Sequence, residues 1–136
     1  MPADPLAPLL ALAEHQHALV RRSQALELVA ARGLDRHLAA GRLHTPWPSV
    51  YRVPGGPRTA EQALLAAVWA AGDGAAAYGR SAGWLWGLID DAPDRPQVLI
   101  PHRRRCRLDG IDLHRRRDLK PEVVHRRHGI LSLIHI

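Results

Sequence analysis

The chain has 136 residues, 46% of them hydrophobic, and carries 19 Lys and Arg against 13 Asp and Glu for a formal net charge of +6. It is long enough to bury a core as one ordinary domain or two small ones, and no apolar run approaches the roughly 20 residues needed to span a bilayer. The single cysteine, Cys106, excludes an internal disulfide and leaves a cysteine-based zinc site short of ligands; with no signal-peptide pattern at the start, a cytoplasmic location is expected.

Leu6, Leu9, Leu10, Leu12 and Ala13 recur at helical spacing and predict a first helix from Pro5 to about Gln16, with proline near its start where a missing N–H is harmless. A short connector ends at Val20. A second helix is predicted from Arg22 to Leu28, with Ala25, Leu26 and Val29 turned inward. A third runs from Ala30 to Ala40, carried by Leu34 and Leu38 and closed by Gly41 as its cap. Gly33 stands inside this third helix at a cost of about 1 kcal/mol relative to alanine. Leu43 to Thr45 and Val50 to Val53 then read as short strands around Pro46-Trp47-Pro48-Ser49. Two helices across a tight turn followed by a small hairpin is the pattern of a winged helix-turn-helix, expected here over residues 1–53.

Pro54-Gly55-Gly56-Pro57 reads as a linker over 54–58. Thr59 precedes Gln62 at capping-box spacing, and Ala63, Leu64, Ala67, Val68 and Ala71 continue an apolar helix that stops at Gly72-Asp73-Gly74. Ser81 to Leu88 predicts another short helix. Gln97 to Ile100 and Ile111 to His114 read as strands, with Leu108-Asp109-Gly110 as the turn between them. The expected fold class is therefore α+β, an N-terminal winged helix-turn-helix followed over 59–130 by a small, incomplete basic α/β unit.

Residues 131–136, Leu-Ser-Leu-Ile-His-Ile, differ in composition from the Arg-, Ala- and Pro-rich chain before them. Read back as CTG TCT CTT ATA CAC ATC, they resemble the transposon-end sequence of sequencing-library adaptors. A non-native tail is expected here, with the natural protein continuing beyond Ile130; the alternative is an ordinary apolar C-terminal strand.

Placement of charge narrows the partner class. Residues 1–100 hold nine Arg and nine acidic residues, so the whole excess falls in 101–136. There it gathers at Arg103, Arg104, Arg105, Arg107, Arg115, Arg116, Arg117, Arg126 and Arg127. Such clusters suit phosphate backbones, an acidic protein or a solvated face. In the third predicted helix Arg32 and Arg36 lie one turn apart, with Asp35 and His37 beside them, and these four are the candidate base contacts with double-stranded DNA. Arg21, Arg22, Arg42, His44 and Thr45, at helix ends and in the wing, are the candidate phosphate contacts. Trp47 belongs with the wing residues that could meet the neighbouring backbone or minor groove. A winged helix that contacts protein instead remains open.

The run from His15-Gln-His-Ala-Leu-Val through Arg22-Ser-Gln-Ala-Leu, Gly41-Arg-Leu-His and Val50-Tyr-Arg-Val resembles the N-terminal domain of AbiEi-type antitoxins. These belong to type IV toxin-antitoxin systems common in actinobacteria. Arg80-Ser-Ala-Gly-Trp-Leu-Trp-Gly-Leu, Val98-Leu-Ile-Pro, Ile111-Asp-Leu-His-Arg and Val124-His-Arg-Arg-His-Gly-Ile resemble the segment that follows, so the likeness covers about residues 6–130. It implies a transcriptional autorepressor that binds operator DNA through the third helix and wing, and an antitoxin that forms no stable toxin complex. Gly79, where relatives often have His, and Gly33 depart from the pattern. Many chains with this opening continue into a nuclease similar to very-short-patch-repair endonucleases. The alternative function is therefore the DNA-targeting part of such an enzyme.

Within the chain itself no catalytic constellation stands out. Pro93-Asp94 has no following Glu-x-Lys, and Lys120 is the only lysine, so nuclease activity is not expected. The pairs His15 with His17, His102 near Cys106, and His125 with His128 give no four-ligand metal pattern, and Asp90-Asp91 with Asp94 reads as a turn. Ser81 lacks a nucleophile-elbow setting. No cofactor is expected. Trp84, Leu85, Trp86 and Leu88 read as a packing cluster, and Trp69 as core.

Overall fold

A computed structural model describes residues 6–56, 58–101, 108–116 and 124–133, and shows an α+β chain with two separate sheets. Its contacts divide into two compact units, Met1–Gln62 and Ala63–Ile136.

In the first unit, α1 (Ala7–Ala13) buries Leu9 and Ala13 on one side. The chain leaves it through His17 and Ala18, both in left-handed backbone at φ 55° and 64°. It then enters a strand the sequence reading did not predict, β1 (Leu19–Arg21). Three residues are too few to show an alternating pattern, so only the pairing reveals the strand. Leu19, Val20 and Arg21 lie antiparallel to Arg52, Tyr51 and Val50 of β3 (Val50–Arg52), and β2 (His44–Trp47) lies on the other side of β3. Trp47 faces Val50, so the hairpin turn is Pro48-Ser49 alone, with Ser49 at φ 65°. Proline first and a positive φ second is the type II arrangement. Pro46 and Trp47 are strand residues rather than part of the turn.

Between β1 and β2 come α2 (Arg22–Leu28), at its predicted bounds, and α3 (Ala31–Ala39). Ala25 is buried and Val29 half-buried one turn later, but Leu26 is 41% exposed, contrary to the expectation that it turns inward. One residue rotates a helix by about 100°, which carries Leu26 off the Ala25–Val29 face. A reciprocal amide pair ties α2 to the end of α1: Gln16 Nε2 donates to Gln24 Oε1 at 3.0 Å and Gln24 Nε2 to Gln16 Oε1 at 2.9 Å. Gln24 Oε1 also accepts the Arg21 backbone N–H at 2.9 Å, which closes the first turn of α2. The core beneath these helices joins Leu6, Leu9, Val20, Leu34, Leu43 and Tyr51.

α4 (Ala60–Ala71) begins where the Gln62 N–H donates to Thr59 Oγ1 at 3.0 Å, the N-cap bond expected from the spacing. In the second unit its residues Leu64, Leu65, Ala66, Ala67 and Val68 are buried in succession. Burial of five residues in succession goes right round the helix and blurs the amphipathic stripe by which sequence patterns are read.

The second sheet holds β4 (Ala76–Ala77), β5 (Gln97–Pro101), β6 (Asp112–Arg116), β7 (Val124–Arg127) and β8 (Ile130–Leu133), in the order β6-β5-β4-β8-β7. β5 and β6 run parallel, with Gln97 beside Asp112 and Ile100 beside Arg115. This corrects the hairpin reading of Leu108-Asp109-Gly110. Parallel neighbours need a crossover that returns the chain to the starting end, and a tight turn cannot supply it. Gly110, at φ 90°, only turns the chain into β6. α5 (Gly79–Leu85) is fastened by Gln97, whose Oε1 accepts the Arg80 N–H at 2.6 Å and whose backbone N–H donates to Ser81 Oγ at 2.9 Å.

Leu131–Leu133, expected as part of a foreign tail, occupy β8 between β4 and β7; Ser132 is fully buried and accepts the Trp86 indole N–H at 3.2 Å. Residues 134–136 of that tail lie outside the described residues. Arg127 sits 5.1 Å from the Trp86 ring centroid and donates from Nε to the Leu85 carbonyl at 2.9 Å. The expected tryptophan cluster is thus partly corrected: Leu85 is buried and both indoles half-buried, whereas Leu88 is 69% exposed.

Candidate nucleic-acid interface

α3 has an inner and an outer face, and Leu34 decides which is which. Leu34 is fully buried and Leu38 partly so, which leaves Arg32, Asp35 and Arg36 on the exposed side. The helix ends in a Schellman arrangement: the Gly41 N–H donates to the Leu38 carbonyl at 3.1 Å and the Arg42 N–H to the His37 carbonyl at 3.0 Å, with Gly41 at φ 73°. Glycine is favoured there because a side chain is strained in that backbone region.

His37 corrects the sequence reading. Expected beside the outward donors, it is only 6% exposed, three residues after Leu34 on the same inner face. Its Nδ1 stands 3.2 Å from Arg42 Nη1 and serves as that guanidinium's acceptor. His37 is therefore a buried anchor beneath α3, and Arg42, itself exposed, is held at the end of the helix.

Arg22, at the start of α2, is half-exposed and connects three elements. Its Nη1 donates to the Tyr51 hydroxyl of β3 at 3.0 Å and stands 3.8 Å from Asp35 Oδ1 of α3. The bond to Tyr51 is the main reason the guanidinium pKa is raised, with Asp35 a smaller contributor. Asp35 thus places a carboxylate beside Arg22 on the face that Arg32 and Arg36 share. Tyr51 was not among the expected site residues. Nothing local in the sequence pairs it with Arg22, because the register of β1 against β3 brings them together.

Arg21 is exposed where β1 meets α2, and His44 and Thr45 are exposed on β2. A groove along α3 is lined by Val29, Ala30, Arg32, Gly33, Arg36 and Ala40, among others. In the second unit, Arg115 and Arg116 are exposed on the edge strand β6. Arg103, Arg104, Arg105, Arg107 and Arg117 lie outside the described residues, as do His102, Cys106 and Lys120. Among the described residues, no three His, Cys, Asp or Glu are grouped to hold a metal ion, and no helix is long and apolar enough to cross a membrane.

Chemically, the α3 surface offers two forked guanidinium donors one helical turn apart, a carboxylate acceptor beside them and a restrained guanidinium at the helix end. Arginine forks match the paired acceptors on guanine edges, and restrained guanidinium groups suit phosphate oxygens. No protein-family model matches this chain, and no curated protein sequence matches it.

Proposed function

We propose that the first unit binds double-stranded DNA through α3, and that the chain acts as a transcriptional autorepressor and antitoxin of the type IV class its sequence resembles. The observation that carries this reading is the exposure of Arg32 and Arg36 on a helix whose opposite face is fixed by the fully buried Leu34. A donor pair on a rigid helix is what direct reading of the major groove requires. The element order α1-β1-α2-α3-β2-β3, with strands arranged β1-β3-β2, supports the winged helix-turn-helix assignment. In that arrangement α3 is the recognition helix and the β2–β3 hairpin the wing.

Arg32 and Arg36 read bases in this proposal, while Arg21, Arg22, Arg42, His44 and Thr45 position the duplex through its phosphates. The test is fluorescence anisotropy of the chain with labelled DNA from upstream of its own coding sequence, compared with a scrambled duplex across a salt series. Arg32→Ala with Arg36→Ala is expected to abolish the preference for the upstream duplex, at about 1–3 kcal/mol per base contact. Equal affinity for both duplexes in the unaltered protein would end the repressor reading.

A further inference from the structure

Gly33 is the third residue of α3, in its first turn, and neither its backbone nor its packing calls for glycine. A Cβ built there would meet one atom within 4 Å, Arg36 Nη2 at 4.0 Å, so alanine would fit without displacing anything. Gly41, by contrast, answers a local need, the left-handed turn that ends the helix. Alanine is the better helix former, because glycine forfeits more backbone freedom on folding. The chain therefore keeps a less stable helix with no compensating contact of its own. Glycine is used where a second backbone must come close, and Gly33 lies in the groove along α3 beside Arg32 and Arg36.

We propose that Gly33 is where α3 abuts the sugar–phosphate wall of the major groove, and that its missing side chain sets how deeply the helix seats. This inference rests on the DNA-binding reading of α3. An α-helix with its side chains is about 10–12 Å across and the major groove about 12 Å wide, so the fit leaves almost no clearance. Gly33 stands round the helix from Arg36, toward the flank and not the leading edge, and is half-buried. Added atoms on that flank push the whole helix outward, which lengthens its contacts with the backbone of any duplex. The wall is the same in every duplex, so the effect applies to any DNA sequence.

The experiment compares the unaltered chain with Gly33→Ala and Gly33→Leu, by thermal melting and by anisotropy with the upstream and scrambled duplexes at low salt. Gly33→Ala is expected to melt at a higher temperature yet bind both duplexes at least tenfold more weakly, with a larger loss for Gly33→Leu. The same fold-loss is expected when Gly33→Ala is placed in an Arg36→Ala background, since the wall contact does not pass through Arg36. Unchanged affinity in both glycine variants would overturn the inference and leave the DNA-binding reading standing. A loss that disappears in the Arg36→Ala background would also overturn it, by showing that Gly33 acts only through that arginine. If the unaltered chain binds neither duplex, both ideas fall together.

Discussion

The Arg42 guanidinium reaches back to His37 Nδ1, 3.2 Å away, across the turn that ends α3. The Schellman arrangement makes this meeting possible, because it folds the second residue past the cap toward the third from the helix end, a pairing more often made by apolar side chains. Here the bond orients a cation beside the exposed face of α3. Replacing His37 with Leu is expected to cost about 1 kcal/mol in urea melts, the net value of one such bond. Arg42→Ala, which removes the charge itself, is expected to lower the salt dependence of DNA binding by about one unit in the log–log slope. An unchanged slope would take Arg42 out of the phosphate contacts.

Leu34 fixes which face of α3 looks outward, so its loss is expected to reach stability and DNA binding together. Truncation to Ala should cost about 2–5 kcal/mol, the range for a fully buried leucine. Leu26→Gln, at a residue 41% exposed, should stay within about 0.5 kcal/mol. Denaturant melts of the two variants would separate them, and similar losses would reverse the assignment of faces.

Asp35 sits on the exposed side of α3 with a carboxylate that would repel phosphate, yet its pair with Arg22 is long, at 3.8 Å, and exposed. An exposed pair of this kind, screened by solvent, contributes little, so Asp35→Asn should barely move the melting curve. Binding to scrambled DNA should strengthen while preference for the upstream sequence falls. Preserved preference in the anisotropy assay would remove Asp35 from base recognition.

Tyr78 is expected to give the second unit a dependence on alkaline pH. Burial first, and Asp112 second, raise its phenol pKa above the usual value, and its ring lies 5.4 Å from that of His114. A group whose pKa is higher in the folded state contributes stability below its unfolded pKa, near 10, and that contribution is lost as pH rises through the folded value. Urea melts at neutral and strongly alkaline pH should therefore show a loss that is smaller in Tyr78→Phe. An equal loss in both proteins would assign the effect to other groups.

Removing residues 131–136 tests whether β8 is needed for the second sheet. Ser132 and Leu133 are buried and the strand lies between β4 and β7, so the truncated chain is expected to melt at a lower temperature than the full chain. Identical melting would mean that the sheet holds without them.

Much of the first unit was legible because its signals are local. α2 has its predicted bounds and α3 lies within one residue of them at each end, since Leu34 and Leu38 mark a helical face and Gly41 its end. β1 and β4 were not read, because strands of three and two residues hardly alternate. The parallel pairing of β5 with β6 was missed for a different reason: Asp109-Gly110 is a turn signal, and a turn does not specify what its strands pair with. On α3 the exposure of Arg32 and Arg36 follows from their spacing, whereas His37 was placed by polarity. Its distance of three residues from Leu34 already put it on the inner face, and Arg42, two residues beyond the cap Ala40, supplied the partner a buried imidazole needs.

The pairing of β1 with β3 also bears on how the first unit folds. Leu19 lies beside Arg52, and both α2 and α3 fall inside the loop that this pairing closes. Local helix formation is fast, but a ladder between strands so far apart in sequence must first offset the entropy of closing that loop. The step that registers β1 against the β2–β3 hairpin is therefore expected to limit the folding rate. A peptide holding α2 and α3 alone would lack both the ladder and Tyr51, the partner of Arg22, and would present its arginines on helices too short to persist in water.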